Sequence, residues 1–145
     1  MSINGIFAMF GFPGKGDEER KKIDEELEAF RETPHFKLGM FFKLIMNGSS
    51  FKSQVLKFFS KADPDLDVKG IDEAGEYMMY TRAYFWIKDC NIRKKEWKIA
   101  LKNNANEEFV CAVKLCINYF ESTEEYEKCA VLKKIQDFLE KNLTK

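Results

Sequence analysis

Gly11, Gly14, Lys15 and Gly16 stand directly ahead of Asp17, Glu18 and Glu19 in the stretch FGFPGKGDEER. Glycines and a lysine at the mouth of a helix are the parts of a phosphate cradle, where bare N–H groups and a cation hold an anion. The spacing here does not build one. A Walker-type loop keeps four residues between its first glycine and the Gly-Lys pair, then places Ser or Thr to hold magnesium. In this chain two residues separate Gly11 from Gly14, and Gly16 follows Lys15. The three carboxylates then take up the positive end of the helix dipole, so a phosphate would meet repulsion. The stretch predicts a turn and a helix start, with Pro13 and the glycines as a hinge.

A second candidate is DPDLDVKGIDEAGE, which sets Asp63, Asp65 and Asp67 at positions 1, 3 and 5 of a calcium loop. The sixth position is Val68 where the turn needs glycine, and the twelfth is Ala74 where a bidentate glutamate closes the site. An acidic helix-capping loop accounts for the pattern. Zinc is no better served: Cys90, Cys111, Cys116 and Cys129 form no C-x-x-C pair, and His35 is the single histidine. The cysteines read as reduced, buried small apolar residues, and no metal or cofactor is assigned.

Catalytic chemistry has few residues to work with. No G-x-S-x-G and no H-E-x-x-H occurs, and His35 follows Pro34 in a helix's first turn, where exposure or capping is its ordinary fate. No catalytic residue is assigned. Glu73, Glu76 and Arg82, on the aromatic-rich helix expected over 71–90, are the polar groups that would line a pocket in an enzyme or small-molecule binder.

Basic residues offer another chemistry. Arg93, Lys94, Lys95, Lys98 and Lys102 surround Trp97 with only Glu96 against them, and Lys37, Lys43, Lys52, Lys57 and Lys61 lie in a segment with no acid. Cations with an interleaved aromatic can hold phosphates and stack on bases, so nucleic-acid association through Arg93, Lys94, Lys95, Trp97, Lys98 and Lys102 is an alternative reading. The whole chain does not favour it, because 24 basic residues balance 24 acidic ones and leave no net field.

The elements that must carry these residues are helices. Apolar side chains recur at helical spacing almost throughout, and 14% aromatic content with only 3 Pro and 8 Gly describes a packed globule. The spacing predicts helices over about 17–32, from Pro34 to Asn47-Gly48, about 50–61, about 71–90, 93–102, 106–120 and from about 125 to 143. Ile23, Leu27 and Phe30 predict a buried stripe on the first, and Tyr77, Met78, Phe85 and Trp86 mark the fourth as the core helix. Asn104 with Glu107, and Ser122 with Glu125, read as capping boxes. The fold expected is an all-α, irregular single-domain bundle of six or seven helices over 17–145, preceded by an apolar arm and hinge over 1–16.

The final hairpin, FESTEEYEKCAVLKKIQDFLE, resembles the UVR motif through Phe120, Glu121, Tyr126, Glu127, Cys129, Ala130 and Leu132. That motif is a helical hairpin that mediates protein contacts in nucleotide-excision repair. Lys133 and Lys134 replace its usual Arg-Asp and Ile135 falls one place early, so the chain is not assigned to that family.

Ile3, Ile6, Phe7, Phe10 and Phe12 make the arm the clearest apolar surplus, about half the length of a bilayer span and with no basic residue ahead of it. The leading expectation is a non-enzymatic cytoplasmic interaction protein. It binds a protein partner or a second copy of itself through apolar surface, these five residues being its anchors, and does not engage a membrane.

Overall fold

The computed structural model describes residues 16–65 and 67–143. The chain divides into two compact units that meet in sequence between Thr33 and Pro34.

The first unit carries α1, Asp17–Arg31. Gly16 is its N-cap and supplies no side-chain acceptor, while Asp17, Glu18 and Glu19 fill the first turn and Arg31 the last, so charges match both ends of the dipole. Thr33 Oγ1 donates to the Phe30 carbonyl at 2.6 Å beyond the C-terminal end. The predicted stripe forms on one side, but Ile23, Leu27 and Phe30 are 52, 52 and 55% exposed and α1 has no buried residue. The expectation of a buried face on this helix is therefore corrected.

The second unit carries α2 (Pro34–Ala62), α3 (Val68–Ile87), α4 (Lys95–Asn103), α5 (Glu107–Ser122) and α6 (Tyr126–Lys141). Six α-helices and no strands occur among the described residues, so the chain is an all-α helical bundle. None of these helices is long and apolar enough to cross a membrane. In the second unit α2 runs along α3, α5 along α6, and α4 packs on both α2 and α6.

The stop expected at Asn47-Gly48 is absent, and α2 continues through it for 29 residues, about 43 Å. The reason lies on α3. A Cβ at Gly48 would stand 2.5 Å from Sδ of Met79, so this glycine permits close approach of two helices instead of ending one. Packing overrides a local signal that costs a helix only about 1 kcal/mol.

The core lies at one end of this pair. Leu38, Phe41 and Ile45 enter from α2, and Trp97, Ala100 and Leu101 from α4. α6 adds Cys129, Leu132, Ile135 and Leu139. α5 provides seven buried side chains, including Phe109, Val113, Cys116 and Phe120, whereas α3 provides only Ala83 and Ile87. The core helix is thus α5, and the prediction that gave this place to the aromatic-rich α3 is corrected. Hydrophobic content did not distinguish the two. Tyr77, Met78 and Phe85 are 56, 53 and 57% exposed, and Trp86 is half-buried. Aromatic pairs join the layers: Phe42 stacks on Phe109 with centroids 5.7 Å apart, and Tyr84 meets Phe120 edge-on at 5.6 Å.

The caps differ from the boxes read in sequence. Asn106 is the N-cap of α5, its Oδ1 accepting from the Phe109 N–H at 2.8 Å. Asn104 closes the end of α4 instead, donating from Nδ2 to the Ala100 carbonyl at 2.8 Å. Ser122 is the last residue of α5 and donates back to the Tyr119 carbonyl, so it starts no helix. The chain turns there through Glu124, whose φ of 61° lets the Glu125 N–H reach the Phe120 carbonyl at 2.8 Å.

Candidate functional site

From Met46 to Arg82 none of the described side chains is buried. The C-terminal half of α2 and the N-terminal half of α3 therefore form a hairpin that no other described helix of the second unit encloses. The two helices are held to each other by the Gly48–Met79 approach and by Lys52, whose Nζ lies 2.9 Å from Asp72 Oδ1 and 3.0 Å from Glu76 Oε1. Burial lowers the affinity of the Lys52 ammonium for its proton, but its hydrogen bonds to Asp72 and Glu76 outweigh this and hold its pKa above the ordinary lysine value. At the base of the hairpin Tyr80 stacks on Tyr119 of α5, centroids 4.4 Å apart. Burial, with repulsion from Glu76 added, pushes the Tyr80 phenol up.

What the hairpin presents is apolar. Met46, Phe58, Phe59, Val68 and Ile71 are exposed, Phe58 to 68%. Along α3, Ile71, Ala74, Met78, Thr81 and Phe85 follow one another at steps of three, four, three and four residues, the spacing that lines a single seam. Ile71, Met78 and Phe85 face solvent, and Thr81 is half-buried with a hydroxyl that finds no hydrogen-bond partner. At the hairpin's turn the aspartates cap: Asp63 Oδ1 accepts from the Asp65 N–H and Asp67 Oδ1 from the Gly70 N–H, both at 3.1 Å. Among the described residues no group of three or more His, Cys, Asp or Glu is placed to hold a metal ion.

The five anchors expected in the arm, Ile3, Ile6, Phe7, Phe10 and Phe12, lie outside the described residues. Within the basic segment, Arg93, Lys94, Lys95, Lys98 and Lys102 are exposed, and none forms an ion pair with a described acid. Trp97 is turned inward and only 6% exposed, so the stacking face assigned to it is not available. Its place at the first turn of a short amphipathic helix against the core gives the physical reason. α4 packs on α2, which joins the helix bearing this segment to the helix bearing the five lysines. Lys52 is not a free cation, because α3 brings Asp72 and Glu76 to it. Of the pocket-lining group, Glu76 is committed to Lys52 while Glu73 and Arg82 stand exposed, and His35 is exposed as well.

Sequence reasoning missed the seam on α3. Its signal was present in the 3–4 spacing of residues 71 to 85, but periodicity does not say which of two helices receives the core.

Comparison with protein-family models, with curated proteins and with solved structures finds no match to this chain.

Proposed function

We infer that this protein works by binding another protein chain, a partner or a second copy of itself, through the exposed hairpin of α2 and α3. One observation carries the reading: from Met46 to Arg82 no described side chain is buried, although large apolar residues run the length of the segment. A two-helix hairpin encloses no core, and exposed apolar surface of this extent is the property of an interaction site. The seam at Ile71, Ala74, Met78, Thr81 and Phe85 supplies the register in which a partner helix would lay its own side chains. The cytoplasmic setting and a regulatory role by occlusion or docking belong to the same reading.

Nucleic-acid association is favoured less, since Trp97 offers no face for a base and Lys52 is already neutralised. The experiment compares the full chain with Met78→Glu and Phe85→Glu by sedimentation and by affinity capture with and without nuclease. The reading expects a complex, or self-association, that survives nuclease and is lost in both variants while their melting temperatures stay close to the parent's. A chain that stays monomeric, and captures nothing the variants fail to capture, overturns it.

A further inference from the structure

The connection between α3 and α4 folds over the middle of α6 and leaves a half-open cleft of about 320 Å³. Its apolar lining comes from Cys90, Ile92, Val131 and Ile135. Ile135 is buried and the other three are half-buried. Burial pushes the Cys90 thiol up to about 12, so it stays neutral and adds no anion to the lining. The cleft is also lined by three cations from separate places in the chain: Lys88 at the end of α3, Arg93 in the connection and Lys134 on α6. No acidic residue lines it, and none of the three cations forms an ion pair with a described acid. Lys88 rests over the Phe85 ring at 4.5 Å. The turn is fixed by the Arg93 N–H, which donates to Asn91 Oδ1 at 2.9 Å.

Three basic residues and no acid line this small cleft, so an anion entering it meets a net positive field. Arginine supplies a planar fork that fits a phosphate in two hydrogen bonds, and two ammonium groups can share the remaining charge of a dianion. A carboxylate would leave more of that charge unmatched. The apolar lining has no use for a bare ion, but it accepts an aromatic or aliphatic body beside the anionic group. The volume sits at the lower end of small-molecule sites, which suits one small ligand and is too small for a folded partner. We propose that the cleft between the α3–α4 connection and α6 binds a small organic phosphomonoester, with Lys88, Arg93 and Lys134 on its phosphate and Ile92, Val131 and Ile135 against its carbon skeleton. The cleft touches the hairpin seam where Lys88 rests over Phe85, while Arg93 and Lys134, the residues tested below, lie outside the seam.

The test is calorimetric titration of the full chain with phenyl phosphate, inorganic phosphate and phenol, and with a thymidine oligonucleotide. Phenyl phosphate should bind at one site, roughly tenfold or more tightly than inorganic phosphate because its ring is buried, and phenol should not bind. Arg93→Gln and Lys134→Gln should each weaken phenyl phosphate about tenfold, a lost charge-assisted bond, while Lys102→Gln leaves it unchanged. Thermal melts matching the parent establish that each variant is folded. Three results would overturn the proposal: no saturable binding of phenyl phosphate, equal affinity for inorganic phosphate, or binding indifferent to Arg93 and Lys134. A chain that binds only the oligonucleotide, and loses it equally on neutralising Arg93 or Lys102, has a diffuse nucleic-acid face instead and also overturns it.

Discussion

Lys52 on α2 donates to Glu76 on α3 at 3.0 Å, across the middle of a hairpin that buries none of its described side chains. With Asp72 at 2.9 Å on the same ammonium, one cation ties two turns of α3 to α2. Where none of the described side chains is fully buried, such a bridge carries more of the local stability than a surface pair would.

Its pKa direction gives a pH prediction. The folded Lys52 pKa is raised, so its contribution is fully present below the unfolded lysine value, about 10.4, and is lost as pH rises through the folded value. Lys52→Met should cost roughly 1 kcal/mol near neutral pH, and the gap from the parent should close in the alkaline range above about pH 10.4. Thermal melts of both proteins across that range measure it, and a pH-independent gap would contradict it.

The cysteines should separate in reactivity. Cys111 is exposed, whereas burial pushes Cys90 up to about 12 and raises Cys116 and Cys129 as well. This corrects the expectation that all four are buried. Iodoacetamide near neutral pH should alkylate Cys111 in the folded protein and reach the other three only after denaturation, because the thiolate is the nucleophile. Mass spectrometry of peptides at successive times reads the order, and early modification of Cys90 would contradict the packing of the α3–α4 connection.

Truncations should rank α5 above α3. Phe120 is fully buried and meets Tyr84 and Tyr119, so Phe120→Ala should cost about 3–5 kcal/mol. Trp86 is half-buried, edge-on to Phe36 at 5.7 Å, and Trp86→Ala should cost clearly less, about 1–2 kcal/mol. Urea melts of the two variants give the comparison, and a reversed order would return α3 to the centre of the core.

Much of the architecture was legible in the chain. Helical spacing, scarce proline and the Asp17–Glu19 cluster fixed the fold class and most helix ends, because local propensity and dipole complementarity act over a few residues. The acidic loop read as a capping turn is one, through Asp63 and Asp67. The glycine-rich stretch ahead of α1 had no phosphate-loop spacing, and that conclusion rests on sequence alone.

The tertiary structure decided what each helix faces. Asn47-Gly48 is a stop signal that Met79 turns into a contact, and α3 has an aromatic content that fits a core helix, yet α5 takes the centre. Lys134 is distant in the chain from Lys88 and Arg93, and only the fold over α6 brings it to the cleft that they line. Amphipathic periodicity states that a helix has an apolar side, but which surface covers that side depends on contacts between residues distant in sequence. For the seam from Ile71 to Phe85, the described helices of the second unit leave Ile71, Met78 and Phe85 exposed, and that exposure is where the proposed function begins.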